Sequence, residues 1–127
     1  MKNSSYGAYQ AGVKRAETPN ETDAAVLENA ALLLDDAKKL PGTEEFFMAL
    51  NFNQRIWTVL QAYVTDGSPW PDLINANLLS LSIFIDKQTF KAMTDGDPEH
   101  LDVLININRQ IAAGFRSVPP PETVTSE

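Results

Sequence analysis

Few residues of this chain have the types and spacings that chemistry needs, and each candidate fails on its neighbours. Asp95-Gly96-Asp97-Pro98-Glu99 resembles the start of a calcium loop, with carboxylates at alternate positions. However, the position eleven after Asp95, where a bidentate Glu would stand, is Asn106, and no Gly occupies the sixth place. Helix punctuation explains the segment better. The only histidine, His100, falls in the first turn of the last helix and reads as a surface or capping residue rather than a general base. With no Cys, thiolate metal sites and disulfides are excluded, and one His leaves no zinc set. Gly7 and Gly12 follow no strand, so they form no phosphate-binding loop. Glu44 and Glu45 are adjacent, hence splayed apart on a helix. The chain reads as a non-enzyme that carries no metal and no cofactor.

What remains distinctive is an amide placed twice inside an apolar helical stripe. Phe46, Leu50, Asn53, Trp57, Leu60 and Val64 recur at steps of four and three, the spacing of one helix face. Leu101, Leu104, Asn108, Ile111 and Phe115 repeat the pattern. A buried amide is costly unless hydrogen-bonded, so each Asn needs a partner. Asn53 and Asn108 therefore read as specificity residues that fix how helices align. Trp57 reads as core rather than a ligand platform. Arg109 projects about 100° from Asn108 and is either a solvated charge or a salt-bridge anchor to an acidic helix.

The elements that must position these residues are helices, and no segment alternates with period two. Thr18-Pro19-Asn20-Glu21 has the order of an N-cap, a first-turn proline and a capping-box glutamate. That helix is expected to run to about Leu40, where Pro41-Gly42 stops it, with Ala24, Leu27, Ala31 and Leu34 as its seam. Asp35, Asp36, Lys38 and Lys39 read as its solvated end. Thr43 caps a second helix that lasts to about Thr65 before Asp66-Gly67-Ser68-Pro69. Trp70-Pro71-Asp72 opens a third, and its apolar run Leu78 to Ile85 suggests a central helix touching neighbours on several sides. Asp95-Gly96 ends it, and Asp97-Pro98-Glu99 starts a fourth that lasts to about Phe115. Tyr6, Tyr9 and Val13 also have helical spacing, although Gly7 and Gly12 each weaken an autonomous helix by about 1 kcal/mol. They are either a packed N-terminal arm or part of a partner surface.

The expectation is all-α: a small up-down bundle of four to five helices. An arm spans 1–17, the bundle 18–116 and a proline-rich disordered tail 117–127. The longest apolar run covers eight residues and includes two serines, whereas a membrane span needs about 20. No signal peptide precedes it, so the chain reads as soluble, cytoplasmic and not inserted in a membrane. Seventeen acidic residues against 10 basic ones give a net charge of −7, and the cations are dispersed. That balance disfavours direct nucleic-acid binding and suits a protein partner.

In order along the chain, Tyr9, Thr18-Pro19-Asn20-Glu21-Thr22, Asn53-Gln54-Arg55-Ile56-Trp57-Thr58-Val59-Leu60, Leu79-Ser80-Leu81-Ser82 and Ile107-Asn108-Arg109 resemble the FlaF family of alphaproteobacterial flagellar proteins. The resemblance covers roughly Tyr6 to Phe115. It implies a post-transcriptional role in flagellin synthesis or export, alongside a second regulator, FlbT. Flagellin itself is the implied partner. For a flagellin-binding secretion chaperone, the helical spacing of Tyr6, Tyr9 and Val13 suits a segment that covers a groove and is displaced by the partner. The alternative is a translation-control adaptor that acts through FlbT or flagellin mRNA without carrying flagellin.

Overall fold

Helix-stop and helix-start signals alternate along the chain at intervals of about twenty residues, and the computed structural model follows them closely. It describes residues 21–66 and 71–117. The arm with Tyr6, Tyr9 and Val13, the cap Thr18 to Asn20, Trp70 and the proline-rich tail lie outside the described residues. Among the described residues there are four helices: α1 (Glu21–Ala37), α2 (Glu44–Thr65), α3 (Asp72–Asp95) and α4 (His100–Ser117). No strand occurs among the described residues, and the fold is all-α.

Local chemistry sets the boundaries. The α1 helix stops at Ala37, three residues before Leu40, because its last turn tightens: Lys39 N–H donates to Asp36 O and Leu40 N–H to Ala37 O. Gly42 then takes φ +81°, which a side chain would resist. Thr43 caps α2 as its type suggests, its Oγ1 accepting from Phe46 N–H at 3.3 Å. Gly96, at φ +71°, ends α3 in the left-handed conformation. Asp97 opens a single tight turn through which the chain enters α4, so the α-helix itself begins at His100.

The helices follow one another around a square: α1 packs on α2, α2 on α3, α3 on α4, and α4 closes back on α1. Closure is the most extensive of the four contacts, and α3 against α4 the narrowest. Ala24, Leu27, Ala31 and Leu34 are all fully buried, and the small residues among them let α4 approach closely. The α2 stripe from Phe46 to Val64 is buried throughout, and the α4 stripe is buried except for a half-buried Ile111.

One expectation is overturned. The α3 helix is not central: it buries only the narrow stripe Leu78, Ser82, Ile85, Thr89 and Ala92. Leu73, Ile83, Phe84 and Phe90 are exposed, because α3 meets just two neighbours, α2 and α4. Apolar content on all sides exceeds what two neighbours can cover.

Candidate functional site

The polar centre of the bundle joins three helices. Asn53 and Asn108, both fully buried, are partners of one another: Asn108 Nδ2 donates to Asn53 Oδ1 at 2.6 Å. Asn108 Nδ2 also donates to Leu27 O of α1 at 3.4 Å. Trp57 Nε1 donates to Asn108 Oδ1 at 2.9 Å. The indole N–H can only donate, so it fixes which end of the Asn108 amide faces it. The other end, Nδ2, must then face Asn53, which has to present its oxygen. One tryptophan thereby orients two amides. Asn53 Nδ2 has no hydrogen-bond partner among the described residues. These bonds run across the diagonal from α2 to α4.

Ion pairs hold the closing seam at both ends. Arg116 in the last turn of α4 donates from Nε to Glu21 at 3.1 Å and from Nη1 to Glu28. Glu28 first, and then Glu21, hold its guanidinium above the ordinary arginine pKa. At the opposite end Lys38 Nζ lies 2.7 Å from Asp102 of α4 and 3.9 Å from Asp35. The hydrogen bond that Lys38 donates to Asp102 raises the Lys38 pKa. Lys38 is therefore not simply part of a solvated helix end. Arg109 is exposed and makes no ion pair within 4 Å among the described residues. The anchoring cations, Lys38 and Arg116, are ones that sequence reasoning missed.

Asp95 and Asp97 spend their carboxylates on the turn between α3 and α4. Asp95 Oδ1 accepts from Asp97 N–H and Asp97 Oδ1 from Glu99 N–H, both at 2.9 Å. His100 Nε2 lies 2.9 Å from Asp95 Oδ2, and its Nδ1 lies 3.3 Å from Gln88 Nε2. An amide nitrogen only donates, so Nδ1 accepts and Nε2 carries the proton directed at Asp95. The Asp97 N–H, and then His100, hold the Asp95 carboxyl below the usual carboxylate range. No three His, Cys, Asp or Glu side chains converge on a metal position among the described residues.

Two apolar grooves open on the surface. The first, about 360 Å³, lies between α1 and α2 and is lined by Leu33, Leu40, Met48, Ala49 and Phe52, with Asp36 and Glu45 on its rim. Met48 is 60% exposed and Leu40 45%, so a surface of large side chains faces solvent at one end of the bundle. The signal in the sequence was Leu32-Leu33-Leu34, since three successive leucines cannot share one helix face. The second groove, about 140 Å³, lies between α3 and α4 and is lined by Ile74, Asn77, Leu78, Ile111, Gly114 and Phe115.

The described residues thus form a four-helix bundle with a polar centre and exposed apolar grooves. The chain matches the model of the flagellar protein FlaF family over residues 5–115, and it belongs to that family. A flagellar role follows from membership. No curated protein and no solved structure matches the chain. None of the described helices is long and apolar enough to cross a membrane.

Proposed function

We propose that this protein is a cytoplasmic secretion chaperone that binds flagellin, and that through its load it also regulates flagellin synthesis after transcription. It acts by binding and performs no catalysis. The observation that carries this reading is the α1–α2 groove, with Leu33, Leu40, Met48 and Phe52 open between Asp36 and Glu45. An amphipathic helix recognises such a groove with an apolar stripe, and Lys or Arg beside that stripe meets the acidic rim. Flagellin's terminal segments have this amphipathic character. An apolar surface that a monomer leaves open favours a partner over solvent.

The test is calorimetry of the purified protein against monomeric flagellin, with and without flagellin's terminal segments. Met48→Glu places a carboxylate in the groove at an exposed position, so the fold should persist while affinity falls about tenfold or more. Binding that ignores both the termini and Met48 would sink this reading. FlbT would then be the next partner to test, and the adaptor role the better account.

A further inference from the structure

The α3–α4 groove has a feature that its own lining does not explain. Gly114 lies in the interior of α4, where glycine is the least favourable residue other than proline, and a Cβ built there meets nothing within 4 Å. Its φ is not in the left-handed region, so neither backbone conformation nor contact among the described residues calls for glycine. Glycine inside a helix with open space above it suits the close approach of another element.

The chain supplies one. Arg116, two residues beyond Gly114, holds Glu21, so residues 1–20 join α1 at the same end of the bundle as this groove. The eight steps from Val13 to Glu21 span at most roughly 28 Å. Tyr6, Tyr9 and Val13 have a spacing that on a helix would give an apolar face about 10 Å long, two turns, and Ile74 to Leu78 and Ile111 to Phe115 each cover about one turn of the groove's walls. Lys2, Lys14 and Arg15 against Glu17 leave residues 1–20 two positive, so the rest of a chain of net charge −7 is nine negative. The family match begins at residue 5, which makes this segment part of the unit that family members share.

We infer that residues 5–16 dock as a helix in the α3–α4 groove of their own chain, with Tyr6, Tyr9 and Val13 on Ile74, Leu78 and Ile111 and the segment crossing Gly114. Docking there leaves the α1–α2 groove free. The inference does not depend on flagellin.

Because the chain has no cysteine, introduced pairs report proximity cleanly. The full chain carrying Gln10→Cys with Asn77→Cys is oxidised at low protein concentration, beside the same chain carrying Gln10→Cys with Met48→Cys. The expected result is a within-chain disulfide to position 77, at roughly tenfold the yield to position 48, because docking raises the local concentration. Adding Tyr6→Ala and Tyr9→Ala, or Gly114→Leu alone, should lower that yield while helicity by circular dichroism is retained. Three results would each overturn the proposal: preferential cross-linking to position 48, a disulfide-linked dimer as the main product, or a yield that ignores both changes. None involves flagellin, so failure here is distinct from failure of the chaperone reading.

Discussion

Asn108 donates to Asn53 across the diagonal of the bundle at 2.6 Å while its oxygen accepts from Trp57 at 2.9 Å. The two amides are therefore unequal: Asn108 is bonded to α1 and α2 at once, whereas Asn53 contributes a single acceptor.

That inequality orders two substitutions. Asn108→Leu strands the buried Trp57 N–H and removes the donor to Leu27 O, and should cost about 2–4 kcal/mol. Asn53→Leu removes one acceptor from a residue whose Nδ2 already lacks a partner, and should cost about 1 kcal/mol. Urea denaturation of both single variants and the double variant measures the order and the coupling. Equal losses would mean that Asn108 is not the hub. Both variants also belong on a sizing column, since an apolar seam without its amides is free to choose another helix alignment.

Thr89 suggests a stabilising change. Its Oγ1 is buried without a hydrogen-bond partner among the described residues, so the hydroxyl has lost water and gained nothing. Thr89→Val keeps the shape and should raise stability by about 1 kcal/mol, read from the urea midpoint. A loss of stability would show that the hydroxyl is bonded in solution.

Acid should loosen the entry to α4. The Asp95 carboxyl is held below its ordinary pKa by the Asp97 N–H and then by His100. A depressed folded pKa means that the contribution is present above the unfolded value, about 3.9 for Asp, and is lost as pH falls through the folded value. Amide shifts of Asp97 and His100, followed by NMR below pH 4, should report one titration that Asp95→Asn abolishes. An unchanged titration in that variant would assign the step to another carboxyl.

The charge pairs predict a local effect. Arg116→Ala frees Glu21 and Glu28 together, so hydrogen exchange should accelerate in the first turns of α1 and leave the Asn108 region protected. Arg116→Lys should restore only part of the protection, because a single ammonium cannot reproduce two directed N–H groups. Added salt should lessen the difference between wild type and variant.

Capping and burial were legible in different measure. Thr43, Gly96 and the α2 stripe announced themselves, because caps and periodicity are local and act within one or two turns. The pairing of Asn53 with Asn108 was half legible: the need for partners followed from burial, while their identity awaited the fold. Lys38–Asp102 and Arg116–Glu21 left no trace, since no pattern along the chain marks partners so far apart in sequence. The exposed faces of α3 misled for a related reason. Apolar content states how much surface could be buried, but the number of neighbours decides how much is, and only the closed square of helices fixes that number.

That square also sets an order of events during synthesis. The most extensive partner of α1 is α4, and Leu27 and Leu34 gain that cover only after Leu101 to Phe115 has been made. Closure of such distant segments comes slowly and late. A nascent chain thus holds Leu27 and Leu34 without their full cover until α4 has been made.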